Sequence, residues 1–420
     1  MTIVPSNSTQ RLLSFHNLET LTVMHCWNMK SLFPVSTATG LLQLKQLKMI
    51  SCGLEEIVAK EEVDETPRFL FPQLTFLMLA NLPELKCFYL GLHTTEWPML
   101  EFLGVFHCEK IKIFASEFPR DQNTDQDSQP SFDLSGKAMP SLESLYLDVS
   151  HVRLMCHNHI PFEGFCQLKE LFLAKLDDES IQFFYGFLKR LFKLETLALM
   201  HSSFNELFPN EIDATKEDSQ VDPFLPNLSY LKLLSCNYLT HLWASSTSFT
   251  NLTTLEVEDC YGLVNIFTCS TVKSLVQLTK MTIRECKLLR EIIASEFDQA
   301  EEEIVFCRLK TLELHCLASL TRFCSANYAF KFPCFDQVIV SECPKLKIFT
   351  QGSLSTPKLN RVRPTQEMNG EYVWKEDLNS TIEQMFIDMV FTTNLFIFAT
   401  TFAINISLHV FTTIKLDMIV

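Results

Sequence analysis

The stretch NLTTLEVEDCYGLVNIF, residues 251–267, decides how the rest of the chain is read. Counting from Leu252 as position one, apolar residues stand at positions four (Leu255) and six (Val257), with Thr254, Glu256 and Glu258 between and beside them. That two-residue alternation describes a short β-strand with one face buried. Cys260 follows at position nine, where the chain turns away from the strand; a thiol is small, apolar and a weak donor, suited to a tight inner corner. Leu263 and Ile266, at positions twelve and fifteen, bring the returning chain back onto the core. One such coil cannot bury its own apolar face and needs neighbours of the same kind.

Those neighbours are present. NLETLTVMHCWNMKSLF from Asn17, MLEFLGVFHCEKIKIF from Met99 and NLSYLKLLSCNYLTHLW from Asn227 repeat the pattern. Position one falls at Leu18, Leu44, Leu74, Leu100, Leu142, Leu168, Leu194, Leu228, Leu252, Leu278, Leu309 and Phe335. Six of the eleven spacings are 26 residues, within the range of leucine-rich repeats. The predicted fold is therefore an α/β leucine-rich-repeat solenoid, a horseshoe of about twelve repeats with a parallel concave sheet and an irregular convex side. Position nine is cysteine in seven units, at 26, 52, 108, 236, 260, 286 and 343. Phe33, Phe88, Phe114, Phe208, Phe267 and Phe323, at or beside position fifteen, predict a phenylalanine spine. The expected organisation is a leader or partial cap over 1–17, the array over 18–358, a closing segment over 359–388 and an apolar tail over 389–420.

Composition narrows the function. The 420 residues carry a net charge of −15, which argues against a nucleic-acid partner, since phosphate binders need a basic stripe. Four insertions, 59–68, 117–136, 205–222 and 296–303, together hold a net −16, so the ladder itself is nearly neutral; they read as solvated loops. Met1–Gln10 has neither a basic nor an apolar region of a secretory signal. The expected location is therefore cytoplasmic, with reduced thiols. No Cys-x-x-Cys occurs, so no structural zinc site is expected. Cys156, His157 and His159 read as incidental, and the sequons at Asn227 and Asn251 as chance. There is no Gly-x-Ser-x-Gly, no His-Glu-x-x-His and no phosphate-binding loop, so neither an enzyme nor a cofactor is predicted.

SCGLEEIVAKEE (51–62), FPQLTFLMLANLPELKCF (71–88), WPMLEFLGVFHCEKIKIF (97–114), ECKLLREII (285–293) and ECPKLKIF (342–349) resemble the leucine-rich-repeat region of plant coiled-coil nucleotide-binding disease resistance proteins. VWKEDLNSTIEQMF (373–386) is similar to the segment that closes such arrays. The resemblance covers roughly 10–386. It implies innate immune recognition of a pathogen effector, or of a host protein altered by one, on the inner face. It also implies contact with a nucleotide-binding domain. That domain would lie on a separate or missing segment, because Gly-x-x-x-x-Gly-Lys-Ser/Thr is absent here. Other readings are a membrane-anchored repeat scaffold and an adaptor selecting substrates for ubiquitin ligation; the latter would need a helical recruitment domain, and 17 residues precede Leu18.

Positions three, five and seven face outward from the predicted sheet. The middle of the array is apolar and aromatic there, and its C-terminal third is charged. The candidate protein-binding residues are Phe76, Met78, Phe102, Phe106, Tyr146, Phe172, Met200, Tyr230, Leu234, Glu256, Glu258 and Arg284. Phe76, Phe102, Phe106, Tyr146, Phe172 and Tyr230 are the expected anchor, because exposed aromatic breadth marks interaction sites; packing of these rings on one another is the competing reading. Residues 389–414 carry no Asp, Glu, Lys or Arg. A tail anchor, a buried cap helix and sequence from a misjudged gene boundary all fit them, and a membrane is a partner only through this segment.

Overall fold

The computed structural model describes residues 15–61, 66–91, 93–111, 139–157, 165–207, 225–242, 249–294, 303–365 and 371–392. The chain forms a solenoid of stacked coils with a parallel sheet and little helix. It divides into two compact units, the first Met1–Leu239 with Ser246–Leu255, the second Thr240–Ser245 with Glu256–Val420.

In the first unit eight strands pair in parallel and in sequence order: Thr20–Met24, Gln46–Ile50, Phe76–Ala80, Phe102–Phe106, Ser144–Asp148, Glu170–Ala174, Thr196–Met200 and Tyr230–Leu234. In the second, Lys280–Arg284, Thr311–His315 and Gln337–Ser341 pair likewise, and Thr254–Glu258 spans the boundary. Every strand begins two residues after its position one, so strand registry follows motif registry without a slip. Positions four and six are buried throughout, as at Leu21 and Val23 or Leu312 and Leu314. Each such side chain contributes roughly 1.5–3 kcal/mol of burial, and a one-residue slip would expose the whole row.

The turn out of the strand lies one residue earlier than the sequence suggested. Position eight is left-handed in eleven of the twelve units, with φ between 50° and 62°, and none of these residues is glycine. This conformation turns the position-eight N–H onto the next coil. His25 N donates to Ile50 O, Ser51 N to Ala80 O, Lys175 N to Met200 O and Glu285 N to His315 O, at 2.9–3.0 Å. The ladder thereby gains a further rung wherever such a bond forms. The exception is Val149, whose branched side chain disfavours left-handed backbone; a helix, Val149–His157, starts there instead. Opposite it, the N–H of His107 is met by the Asp148 carboxylate at 2.9 Å in place of a backbone carbonyl.

The position-nine thiols fill the corner as expected. All seven donate to the position-seven carbonyl of their own strand, at 3.2–3.8 Å. Cys52, Cys108, Cys236 and Cys343 also reach the position-six carbonyl of the preceding coil. Ser202 does the same work with a hydroxyl, donating to Met200 O and accepting from Leu176 N. The side away from the sheet carries short parallel strands, such as Glu56–Val58 with Cys87–Tyr89 in the first unit and Glu291–Ala294 with Arg322–Cys324 in the second.

Phe33, Phe88, Phe267 and Phe323 are buried at the spine; Phe114 and Phe208 lie outside the described residues. Buried rings gather in clusters among the described residues. In the first unit Phe71 stacks on Trp97 at 4.7 Å, with Phe88 edge-on to both. In the second, Phe323 stacks on Phe349 at 4.7 Å and Phe306 on Phe332 at 5.0 Å.

Beyond residue 358, Val362–Arg363 adds a further rung beside Gln337–Ser341, and Val362 exchanges both backbone hydrogen bonds with Val373. A helix over 378–392 follows, its first turn capped by Asp377, whose carboxylate accepts from Ser380 N at 2.7 Å. Asn379 fastens this helix to the last coil by accepting from Phe349 N and Thr350 N and donating to Thr350 O. Among the described residues no helix is long and apolar enough to cross a membrane; residues 393–414 lie outside them. The insertion 117–136 also lies outside, as do most of 205–222, most of 296–303 and the centre of 59–68, together with residues 158 and 159 next to Cys156 and His157. The Asn227 and Asn251 side chains donate to Phe192 O and Pro226 O at 2.6 Å, which gives both asparagines a role in the coil.

Candidate protein-recognition face

Parallel pairing in register sets residues of equal position side by side about 4.8 Å apart, so the open face of the first unit can be read along its rows. Phe76 and Phe102 share position three and stack at 4.1 Å with 3° between their planes. The next residue in that row is Ser144, and the aromatic line steps diagonally to position five. There Phe102 meets the edge of Tyr146 at 4.7 Å, and Tyr146 packs against Phe172 at 4.0 Å. Phe106 approaches Tyr146 at 6.1 Å from the other side. The step is possible because position five of the fourth coil is Gly104. A Cβ there would lie 3.1 Å from the Phe102 ring and 3.6 Å from that of Phe106. The line stops after Phe172, whose register partner is the buried Ala198. At its other end Lys48 holds its ammonium 4.7 Å from the Phe76 ring centroid.

The row is half-buried rather than open. Phe76, Met78, Phe102, Phe106, Tyr146, Phe172, Met200, Tyr230 and Leu234 are all intermediate in exposure. The rings from Phe76 to Phe172 pack on one another, which was the competing reading of these residues, and they remain partly exposed. Positions three, five and seven are not uniformly outward, because Gly104, Asp148, Ala174 and Ala198 are buried. The hydroxyl of Tyr146 is pushed up to about 12 by burial, with the Glu170 carboxylate adding to the effect, so it stays a protonated donor. Tyr230 lies two strands beyond Phe172 and is not part of the ring contacts described above.

The second unit carries Glu256, Glu258 and Arg284, also half-buried, but its centre is a residue the sequence did not single out. Glu313 receives Lys280 at 3.1 Å and Arg284 at 3.0 Å from the neighbouring strand, with the buried His315 ring at 3.7 Å. The His315 ring, Lys280 and Arg284 hold its carboxyl at about 2 against the opposing effect of burial. At 3.7 Å the His315 ring adjoins that carboxylate without reaching hydrogen-bond distance, so both its nitrogens, like the Thr282 hydroxyl and Nε of Arg284, are buried without a hydrogen-bond partner. A glycine inside a strand and a carboxylate among three bases were the available signals for Gly104 and Glu313. Among the described residues no group of acidic, histidine or cysteine side chains is arranged to hold a metal ion.

The family described as plant disease resistance protein RPS2-like, leucine-rich repeats, matches residues 1–53, 141–287 and 245–356. No curated protein matches. Among solved structures, the crystal structure of a TLR13–ssRNA13 complex is similar, at 16% identity and a TM-score of 0.29, over 84% of this chain and 57% of that one. The chain thus spans a little over half the length of that neighbour.

Proposed function

Because the chain belongs to the family of RPS2-like plant disease resistance leucine-rich repeats, we propose that it is a recognition module of plant innate immunity. It binds a pathogen effector, or a host protein altered by one, through the open face of its parallel sheet. The observation that carries this reading is the aromatic line Phe76–Phe102–Tyr146–Phe172. Aromatic side chains are the type that dominates interface cores, and here they are already ordered by mutual packing, which lowers the entropy lost on binding. Recognition takes place inside the cell, where the buried position-nine thiols remain available as donors to the backbone. A nucleotide-binding partner on another segment transmits the signal.

The test is a two-hybrid screen of the full chain against libraries of pathogen effectors and host proteins, repeated with Phe76, Phe102 and Phe172 all replaced by alanine. Interactions that disappear with the triple variant, while its circular dichroism and melting stay cooperative, support the reading. Interactions that all survive in a folded triple variant overturn it.

A further inference from the structure

The aromatic line has an asymmetric border. The position-two residues form their own register row, because Glu143 N donates to Glu101 O, Lys169 N to Glu143 O and Glu195 N to Lys169 O. Across the fourth to seventh coils that row reads Glu101, Glu143, Lys169, Glu195, with Glu170 next to it at position three. Lys169 is engaged by Glu143 at 2.9 Å, and Lys193, the nearest cation in sequence to Glu195, donates instead to Gln167 at 2.7 Å. Glu170 accepts only a neutral hydroxyl, from Ser144 at 2.9 Å. Among the described residues no Lys or Arg lies within ion-pair distance of Glu101, Glu170 or Glu195, and only the longer-range field of Lys169 reaches Glu101 and Glu195. The opposite border, at position eight, carries His107, Lys175 and His201, with Lys175 held on His107 at 3.0 Å.

The ring at the start of the line offers no seat for a further cation. Phe76 and Phe102 turn their faces to each other, and the free face of Phe76 is already covered by Lys48. The partly exposed rings of Phe102, Tyr146 and Phe172 suit an apolar contact. The carboxylates beside them outnumber the one lysine of their row, which Glu143 already engages, and so favour added positive charge.

We infer that the segment recognised on this face is apolar at its centre and basic on one flank, its anchor lying over Phe102, Tyr146 and Phe172 and its Lys or Arg side chains reaching Glu101, Glu170 and Glu195. This rests on the recognition role proposed above and specifies the chemistry of the partner. Coulombic matching of this kind acts on association rate and specificity more than on affinity, and is screened by salt. Four rungs cover about 14 Å, the reach of four or five extended residues.

The probe is a pair of labelled eleven-residue peptides with the same Leu-Trp-Leu centre, one flanked by lysines and one by glutamates, titrated against the full chain by fluorescence anisotropy. The lysine peptide should bind about tenfold tighter at 50 mM salt, with the gap closing toward 500 mM. Replacing Glu101, Glu170 and Glu195 together by glutamine should abolish the preference while leaving the melting temperature in place. Replacing Phe102 and Phe172 by alanine should weaken both peptides. Equal or reversed preference in the wild-type chain overturns the charge assignment and leaves the aromatic reading standing. Peptide binding that is indifferent to the phenylalanine changes sinks the reading beneath it, and binding of neither peptide overturns the inference outright. A dimer in sedimentation that is competed by neither peptide would assign the face to a second copy instead.

Discussion

Phe76 and Phe102 are direct register partners on adjacent parallel strands, and their rings stack with centroids 4.1 Å apart and planes nearly parallel. The pair ties the third coil to the fourth on the face where neither ring is fully buried. A double-mutant cycle with Phe76→Ala and Phe102→Ala, read by urea unfolding, should return a coupling of about 0.5–1 kcal/mol. A coupling indistinguishable from zero would mean the two rings behave independently in solution.

Gly104 and Gly53 answer differently to the same substitution. A Cβ at Gly104 meets the movable ring of Phe102, whereas a Cβ at Gly53 would sit 1.9 Å from the carbonyl oxygen of Trp27. Gly104→Ala should change stability by no more than about 0.5 kcal/mol, while Gly53→Ala should cost roughly 2–3 kcal/mol, because backbone must move. Thermal melts of the two variants side by side decide the matter.

The position-eight turn predicts an unusual gain. Glu285 sits at φ 54° with its side chain exposed, and a non-glycine residue pays about 1–2 kcal/mol there. Glu285→Gly should therefore be neutral to stabilising by up to about 1 kcal/mol, after the entropy of the freer unfolded chain is subtracted. Glu285→Val should be destabilising by a similar amount or more. Finding both substitutions equal would show that the turn does not carry the strain assigned to it.

Acid should weaken the second unit through Glu313. Its carboxyl is lowered from 4.5 to about 2 in the folded chain by the His315 ring, Lys280 and Arg284. The stabilisation is thus complete above about pH 4.5 and is lost as the pH falls toward 2. Because Lys280 and Arg284 are more than one-third exposed, the contribution is discounted to about 1–2 kcal/mol. Glu313→Gln should show that deficit at pH 7 and converge with the wild-type chain near pH 2, by urea midpoints across the range.

Thiol chemistry should divide the cysteines by place in the coil. Burial pushes Cys108 and Cys343 up to about 12, and only the thiolate reacts. Iodoacetamide at pH 8 should label the exposed Cys166 and Cys307 first, and the position-nine thiols only on unfolding. Peptide mass spectrometry that found Cys108 labelled early would contradict the buried corner.

Much of this architecture was legible because the strand signal has period two and the coils recur at a near-constant spacing. Leu252, Leu255 and Val257 are enough to fix one strand and its buried face, and parallel stacking carries that registry along each unit. The turn was not legible. A left-handed residue is normally announced by glycine, and at position eight the chain uses His, Ser, Asn, Lys, Asp, Glu and Cys instead, so attention fell on the cysteine one place later. The aromatic surface was readable as residues but not as a line, since its diagonal step depends on what Gly104 omits and what Ser144 is too small to block. The hub at Glu313 was missed because its cations arrive from the neighbouring coil, 29 and 33 residues back in the sequence.

That glycine-free turn also bears on how such a chain changes over generations. A coil that turned on glycine would surrender one side chain at the sheet's edge and would admit almost no replacement there. Here eleven of the twelve coils place a side chain other than glycine's at a site whose backbone role falls to its N–H. Mutation can then exchange unbranched letters along that margin, such as His25, Ser51, Asn81 or Lys175, at a similar conformational cost. The scaffold can explore new partners at this border without renegotiating its core.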